Sequence, residues 1–267
     1  MTKIPLLKLL IRQPFKVITN GLQALNEEQY PDQIRKKFRM EQLPTIDILD
    51  LFPDFREDLN TYSFLEGTSL VTDIMLLKSL ARKFNPCSYL EIGSWRGESL
   101  VNVAEIADKC VAITLSEEEM REMKLSESFI RVHGIFSKEN ESIRMIYHNS
   151  QTFDFTQLNE KFDLIFVDGD HSYQGVLNDT KKVYDLRKNS RSVIVWHDYG
   201  FSTERVRYSV LSAILEGIPA DKHQHLFHVS NTLCAVYVEG QKFKTYETKF
   251  PMVPDKVFSL QLQTRRI

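Results

Sequence analysis

The sequence contains few cysteines and no cysteine pair of the kind that builds a disulfide framework or a zinc site. Its three cysteines, Cys87, Cys110 and Cys234, are far apart, and none belongs to a C-x-x-C motif. Disulfide scaffolds and cysteine-rich zinc modules are therefore excluded as the basis of the fold. The pattern is typical of a reducing compartment, and we expect a cytoplasmic protein.

Long apolar runs and a strong excess of one charge are also absent. No stretch approaches the roughly 20 apolar residues that span a bilayer. Lys and Arg number 34 against 36 Asp and Glu, which gives a net charge of -2. This balance argues against a dedicated nucleic-acid binder, so no nucleic-acid partner is expected. A chain of 267 residues is long enough for one large α/β domain with an appendage.

The first 66 residues are predicted to form a helical extension punctuated by prolines. The segment from Ile4 to Ile18 is rich in Leu and Ile, but Lys8, Arg12 and Lys16 interrupt it, so it lacks the apolar core of a secretory signal. Two interpretations stay open. The segment is a basic helix on a membrane surface, or it docks on its own domain or on a second subunit of a homodimer. We favour docking.

From Ser88 onward, short apolar strands alternate with helices. Strands separated by helices imply a parallel sheet with right-handed crossovers. A β-hairpin is expected near the end, around Ser230-Asn231. The prediction is a doubly wound, mostly parallel seven-stranded sheet with a C-terminal antiparallel hairpin over residues 67–240, followed by a tail over residues 241–267. The expected strands run from Ser88 to Ile92, Cys110 to Leu115, Ile143 to Tyr147, Phe162 to Val167, Ser192 to Trp196, His225 to Val229 and Thr232 to Val238.

A glycine-bearing turn follows the first of these strands. Gly93 permits a tight turn and Gly97 permits close packing of strand and helix, and ligands of open α/β sheets bind at such strand ends. A dinucleotide fingerprint would need a glycine where Trp95 stands and a ribose-binding acid where Thr114 stands. An NAD-dependent oxidoreductase therefore stays only as an alternative interpretation.

Five strand-end motifs follow one another in a characteristic order. They are YLEIG (89–93), AITLS (112–116), HNS (148–150), FDLIFVDGDH (162–171) and VIVWHDY (193–199). This succession resembles the class I S-adenosylmethionine-dependent methyltransferases, in particular the methyltransferase 24 branch. It is distantly similar to the metal-dependent, macrocin-type sugar O-methyltransferases of macrolide and aminocoumarin biosynthesis. The resemblance covers Gly67 to Val238 and implies a Rossmann-like domain that binds S-adenosylmethionine.

The resemblance also implies which residues bind this cofactor. Thr114 stands where an acid is usual, and Asn149 replaces a frequent aspartate, although its side-chain oxygen can still accept the adenine amino protons. The implied residues are Glu91, Gly93, Ser94 and Gly97 around the methionine part, Thr114 and Leu115 beside the ribose, and Asn149 and Ser150 beside the adenine. Asp168 is expected to line the same site.

Polar side chains follow the fourth and fifth strands of the series. Because these strand ends are neighbours in the predicted sheet, we expect Asp168, Asp170, His171, His197 and Asp198 to converge. Asp168 and Asp198 are the predicted ligands of a divalent cation, Mg²⁺ or Mn²⁺. In the related sugar methyltransferases an acid is usual where His197 stands, so a softer metal or none is the alternative.

A general base is the other role that these residues could fill. His171 and His197 are the favoured candidates because a histidine accepts a hydroxyl proton near neutral pH, and Asp170 is the candidate orienter or substitute. Structural roles compete with these. Asp170 or Ser172 could cap the following helix, and His197 could be a hydrogen-bonded structural residue. The histidines near the predicted hairpin, His223, His225 and His228, are expected to be surface or packing residues.

The predicted function is O-methylation of a hydroxylated small molecule or a saccharide, assisted by a divalent cation. A non-catalytic cofactor-binding protein of the same fold is a further alternative. A nucleic-acid methylase ranks low, because no Asn/Asp-Pro-Pro-aromatic motif follows the fourth strand. The N-terminal helices and the loop from Glu117 to Glu141 are expected to form the acceptor pocket.

Overall fold

In the computed structural model of the protein, residue 27 and residues 29–266 are described. The predicted docking helix within Ile4 to Ile18, with its membrane and second-subunit alternatives, lies outside these residues. A helix over residues 29–38, α1, agrees with the predicted helical extension. No helix in the described part of the chain has both the length and the apolar character needed to cross a membrane.

Strands and helices alternate through the centre of the chain, as predicted. The strands are β1 (Thr45–Ile46), β2 (Ser88–Ile92), β3 (Lys109–Thr114), β4 (Ile143–Tyr147), β5 (Leu164–Val167), β6 (Val193–Trp196), β7 (Gly200–Ser202), β8 (Arg205–Val206), β9 (Leu226–Val229), β10 (Ala235–Tyr237) and β11 (Thr245–Tyr246). The other helices are α2 (Ile48–Leu51), α3 (Val71–Ala81), α4 (Glu98–Ala104), α5 (Glu117–Glu122), α6 (Glu127–Val132), α7 (Tyr173–Tyr184) and α8 (Tyr208–Gly217).

The main sheet has the strand order β11-β1-β9-β10-β6-β5-β2-β3-β4. Strands β4, β3, β2, β5 and β6 pair in parallel, with β4 at the edge of the sheet. Strand β10 runs antiparallel to both β6 and β9. From β2 and β5 the chain winds outward in both directions, which makes this pair the switch point of a doubly wound sheet. The predicted fold class, including the C-terminal hairpin, is confirmed.

The predicted number of strands is wrong, because the sheet of the described residues has nine strands and not seven. The additional strands β1 and β11 contain two residues each. Strand β1 pairs in parallel with β9 and antiparallel with β11. Two residues are too few for the period-two pattern from which strands are predicted. Residues 45–46, which the sequence assigned to the helical extension, thus belong to the edge of the sheet.

Strands β2, β3, β5 and β6 are almost entirely buried, as expected for a parallel sheet covered by helices. Leu90 and Ile165 face a core shared with α7 and α8, whereas Tyr89 and Phe166 face a core shared with α3 and α4. Each of these four side chains is fully buried. Burial of a large apolar side chain contributes roughly 1.5–3 kcal/mol, so the two cores hold the strand ends in fixed positions.

The helical spacing of the apolar residues from Leu70 to Phe84 predicts a helix capped by Thr68 or Ser69. Helix α3 begins later, at Val71, with Leu70 at its cap position. Leucine has no side-chain acceptor for the first N–H groups of the helix, and its own N–H donates to Asp73 Oδ2 at 2.8 Å. The predicted cap is therefore wrong, and the real arrangement fixes a buried carboxylate in the first turn of α3.

Candidate active site

Gly93 and Asp168 lie side by side at the switch point of the sheet. They follow β2 and β5, whose carboxyl ends form the crevice where ligands of such sheets bind. Gly93 has a φ of 82°, and a side chain there would collide with the backbone of Asp168 and Gly169. Only glycine fits this turn. The predicted cofactor turn and the predicted polar strand end therefore share one crevice.

Gly97 closes the same turn and is covered by a distant segment. Its φ is 93°, and an added Cβ would lie 2.5 Å from Ser137 Oγ. The N–H of Gly134 donates to the carbonyl oxygen of Trp95 at 2.5 Å. Residues 134–137, part of the loop predicted to form the acceptor pocket, thus lie against the cofactor turn.

Trp95 occupies the position where a dinucleotide fingerprint has its middle glycine. Its ring stacks on Phe129 with 5.2 Å between ring centroids, and the guanidinium carbon of Arg96 lies 3.8 Å from the ring centroid. A side chain at Gly67 would collide with the same ring. In this protein the position is therefore occupied by a packed aromatic ring.

Glu91 lies under the turn and is completely buried. Its carboxylate accepts hydrogen bonds from Tyr89 Oη at 2.6 Å and from Ser99 Oγ at 2.9 Å. Burial raises the pKa of Glu91 to about 8, although both hydrogen bonds lower it. Both oxygens are engaged within the protein, so Glu91 braces the turn from below. By contrast, Ser94 Oγ is buried beside the crevice without a hydrogen-bond partner among the described residues.

Thr114, the predicted ribose-side residue, is engaged in hydrogen bonds within the protein. Its hydroxyl donates to the carbonyl oxygen of Ser94 at 3.2 Å and lies 2.9 Å from His133 Nε2. Burial lowers the pKa of His133. Leu115, the next residue, is half-buried. The sequence did not indicate His133, because nothing in the motif around it points towards the sheet.

The predicted adenine-side residues form a braced loop after β4. Asn149 donates its N–H to Glu119 Oε1 at 2.9 Å, and its side-chain oxygen accepts the N–H of Gln151 at 2.9 Å. Ser150 Oγ donates to Asp179 Oδ2 at 3.2 Å. Glu119 also caps α5 through Ser116. The Ser-x-x-Glu spacing signals that capping box, but its link to Asn149 was not predictable from spacing.

Four of the five polar side chains predicted to converge lie close together, and Asp170 is the exception. His197 Nδ1 lies 3.1 Å from Asp168 Oδ1 and 3.6 Å from Asp198 Oδ2. One ligand atom from each of these three residues lies within 4.8 Å of the others. His197 Nδ1 is buried and makes no well-directed hydrogen bond to any described residue, despite its proximity to the two carboxylates. We name Asp168, His197 and Asp198 the polar triad.

The field in the polar triad is strongly negative. Burial lowers the pKa of His197, but the negative charges of neighbouring carboxylates, above all Asp168, outweigh burial and hold the pKa well above its ordinary value. Burial raises the pKa of Asp198, but its hydrogen bond and charge interaction with His197, together with the nearby His171 and Arg207, bring that pKa down to about 2. The triad therefore holds two carboxylates around a place that favours positive charge.

Asp198 has a backbone conformation that is uncommon outside glycine. Its φ of 54° lies in the left-handed region, which aspartate adopts more readily than most residues. Its Oδ2 lies 3.0 Å from His171 Nδ1, and its Oδ1 accepts from an Arg207 guanidinium nitrogen at 3.3 Å. The side chain of His171 is 42% exposed. A positioned and accessible histidine thus stands at the mouth of the triad.

Asp170 is not brought into the triad. Its carboxylate accepts the backbone N–H of Ser172 at 2.9 Å and the hydroxyl of Ser172 at 2.7 Å. The Ser172 hydroxyl in turn accepts the N–H of Gly175 at 3.1 Å and caps α7. The structure therefore places Asp170 in the capping arrangement that competed with its catalytic role in the sequence.

Asp73 is a residue of the site that the sequence did not indicate. It lies in the first turn of α3, is fully buried, and approaches His197 Nε2 to 3.1 Å through Oδ2. Its other oxygen accepts the N–H of Leu233 at 2.8 Å. It stands 124 residues before His197. No local motif connects two residues so far apart.

The other histidines pack within the fold, as expected. His228 is buried, and its Nε2 lies 3.1 Å from the carbonyl oxygen of Thr232. Burial lowers the pKa of His228 to about 4. His223 Nε2 lies 2.9 Å from the carbonyl oxygen of Leu215 at the end of α8.

Residues 90–199 match the family model of the methyltransferase 24 family, which is described as a methyltransferase domain. This range begins within β2 and ends just after the polar triad. The match confirms the family that the strand-end motifs predicted for this part of the chain. An uncharacterized protein, R132, of Acanthamoeba polyphaga mimivirus is 29% identical over 136 residues, which cover 46% of this chain and 58% of the viral protein.

Two solved structures are similar in shape to parts of the chain. An O-methyltransferase of Bacillus cereus in complex with S-adenosylhomocysteine is 15% identical, covers 66% of this chain and 84% of its own, and has a TM-score of 0.44. The O-methyltransferase NovP is 12% identical, covers 64% of this chain and 79% of its own, and has a TM-score of 0.45.

Proposed function

We propose that this chain, whose residues 90–199 match a methyltransferase domain, methylates a hydroxyl group of a small molecule or saccharide with S-adenosylmethionine as donor. One observation supports the proposal above all. The glycine turn at Gly93 and the polar triad at Asp168 lie against each other at the switch point of the sheet. A donor on the turn and an acceptor oxygen at the triad would therefore be neighbours, and proximity is the main demand of methyl transfer.

The cofactor would lie along the ends of β2, β3 and β4. Ser94 offers a buried hydroxyl with no partner in the described part of the chain, directly after Gly93. Because Thr114 is engaged by Ser94 and His133, we assign it to the wall of the site. Asn149 and Ser150 belong to a loop braced by α5 and α7. The sulfonium supplies an electrophilic methyl group, so the protein needs only to align it.

The polar triad fits a divalent cation. Asp168 and Asp198 supply carboxylate oxygens, and His197 supplies a buried nitrogen that lacks a well-directed hydrogen bond within the described residues. The carboxylates of Asp168 and Asp198, 3.1 Å and 3.6 Å from His197 Nδ1, favour a positive charge at this place, which a metal ion would supply. When bound there, such an ion would act as a Lewis acid that makes an acceptor hydroxyl more acidic.

His171 is the residue that we assign as general base. Asp198 holds its Nδ1 at 3.0 Å, which favours the tautomer with a free Nε2 lone pair. His197 is less suited to this role, because its Nε2 contacts Asp73 and its Nδ1 faces two carboxylates. A base at His171 would remove the acceptor proton and remain accessible to solvent.

Other interpretations of the sequence find less support in the site. An NAD-dependent enzyme needs backbone close to the pyrophosphate, where Trp95 packs instead. A non-catalytic cofactor-binding protein has no need to keep a buried, charged triad, since buried charges are costly without a function or a partner. The three cysteines are free and buried, which supports the expected reducing, cytoplasmic setting.

Acceptor-dependent turnover tests the proposal. The protein is incubated with S-adenosylmethionine and a set of catechols, phenols and glycosides, and S-adenosylhomocysteine is quantified by mass spectrometry. We expect its formation only when a hydroxylated acceptor is present, with a product one methyl group heavier. Oxidation of an acceptor with NAD, and no S-adenosylhomocysteine from any acceptor, would overturn the proposal.

A further inference from the structure

The histidine of the polar triad is held from behind by a buried carboxylate. His197 Nε2 lies 3.1 Å from Asp73 Oδ2, and Asp73 is fully buried. Asp73 accepts two backbone N–H groups as well, from Leu70 at 2.8 Å and from Leu233 at 2.8 Å. An ionised carboxylate only accepts hydrogen bonds. The imidazole ring therefore carries a proton on Nε2 towards Asp73, and Nδ1 is directed away from Asp73.

Nδ1 faces carboxylate oxygen atoms. The nearest carboxylate oxygens are Asp168 Oδ1 at 3.1 Å and Asp198 Oδ2 at 3.6 Å. Two carboxylates this close to Nδ1 favour a positive charge between them, which either a proton on Nδ1 or a metal ion bound to it supplies. His197 is thus placed to supply a nitrogen ligand beside the two carboxylate oxygen ligands of Asp168 and Asp198.

We infer that His197 is a metal ligand through Nδ1, that Asp73 is the residue that positions it, and that the site prefers Mn²⁺ or Co²⁺ to Mg²⁺. This inference rests on the proposed function, because it concerns the cation of the same site. Imidazole nitrogen suits first-row transition metals, whereas Mg²⁺ is bound almost entirely by oxygen. A carboxylate behind a ligating histidine fixes its tautomer and orientation, as Asp73 does here.

The strong fixation of Asp73 supports its positioning role. Its carboxylate caps α3 through Leu70 and fastens the turn before β10 through Leu233. The imidazole of His197 is itself only 9% exposed and packs against Phe166. The side chains of Asp73 and His197 are therefore both held by the core. Binding of a metal to His197 Nδ1 would not have to offset the entropy lost on ordering a mobile side chain.

Direct metal binding tests the inference. The full-length protein is freed of metal with EDTA, and Mn²⁺ and Mg²⁺ are titrated into it by calorimetry. Pulsed electron paramagnetic resonance of the Mn²⁺ form then reports whether a nitrogen nucleus couples to the metal. We expect Mn²⁺ to bind at least about tenfold more tightly than Mg²⁺, with a nitrogen coupling that His197→Asp removes. His197→Asp should also reduce the ratio of Mn²⁺ affinity to Mg²⁺ affinity.

A matched pair of variants tests the role of Asp73. Asp73→Ala should weaken Mn²⁺ binding by roughly 10- to 100-fold. Asp163→Ala removes another buried carboxylate, one that contacts Ser88 and Lys188 outside the site, and should leave Mn²⁺ affinity unchanged. Circular dichroism confirms that each variant is folded. Equal effects of the two substitutions would overturn the positioning role.

Other outcomes separate this inference from the proposed function. Binding of Mg²⁺ as tight as that of Mn²⁺, or Mn²⁺ without nitrogen coupling, would overturn the inference, and the second result would mean that Nδ1 holds a proton instead of a metal. S-adenosylhomocysteine binding is measured on the same samples. If it persists while the metal result is negative, only the inference fails; if it is absent, the proposed function fails.

Discussion

Asp198 Oδ2 lies 3.0 Å from His171 Nδ1 and so gives a half-exposed histidine a fixed orientation at the mouth of the polar triad. This relationship predicts that His171→Gln lowers turnover by roughly 10² or more, because the variant keeps the shape but loses the base. Binding of S-adenosylhomocysteine should not change, since His171 lies on the acceptor side. Steady-state kinetics and calorimetry on the same protein measure the two quantities.

The control for this prediction is His225→Gln, which changes a histidine outside the site beside Tyr237. It should keep the turnover of the unmodified protein. If His171→Gln is as active as His225→Gln, His171 is not the base, and alignment of an already nucleophilic acceptor would account for the reaction.

The second prediction concerns Gly97 in the glycine turn after β2. Gly97→Val should abolish S-adenosylhomocysteine binding, because its side chain would meet Ser137 in a turn with a φ of 93°. Gly240→Val is the matched control, since Gly240 also has a positive φ, of 77°, but has open space around it. It should cost some stability and leave binding intact. Loss of binding in both variants would mean that backbone strain, and not the crowded turn, is responsible.

Glu91 gives a third prediction, on the pH dependence of stability. Its folded-state pKa of about 8 lies above the ordinary value of 4.5. The folded state therefore keeps a proton that the unfolded chain releases, so this stabilisation is full below pH 4.5 and is lost as the pH rises towards 8. Glu91→Gln should remove this pH-dependent loss of folding stability, which is on the order of 3 kcal/mol at pH 7.

Chemical denaturation from pH 5 to pH 9 measures this effect. The free energy of unfolding of Glu91→Gln, relative to that of the unmodified protein, should increase as the pH rises. A difference between the two proteins that stays constant over this range would show that Glu91 is ionised in the folded state. Its bonds to Tyr89 and Ser99 would then be those of a buried carboxylate ion.

Much of the fold could be predicted from the sequence, because its signals are local. Strands β2 and β4 have the predicted bounds, from Ser88 to Ile92 and from Ile143 to Tyr147. Their apolar runs are bounded by turn residues, which single-sequence reasoning recognises. Strands β1 and β11 were missed because they contain two residues each and exist only through pairing with distant partners.

The part of the site that is formed by residues at strand ends could be predicted from the sequence. Asp168, His171, His197 and Asp198 converge because they follow adjacent parallel strands, a consequence of topology. The residues behind them were not predictable. Asp73 reaches His197 across 124 positions, and His133 reaches Thr114 through a folded loop. The role of Asp170 as the hydrogen-bond acceptor of the capping residue Ser172 depends on local geometry, which the sequence spacing alone left open.

The central claim is that the glycine turn holds S-adenosylmethionine beside the polar triad. Calorimetric titration of S-adenosylhomocysteine and of NAD into the unmodified protein tests it most directly. The account predicts that S-adenosylhomocysteine binds one molecule per chain and that NAD gives no heat of binding. Saturable binding of NAD, with none of S-adenosylhomocysteine, would contradict it.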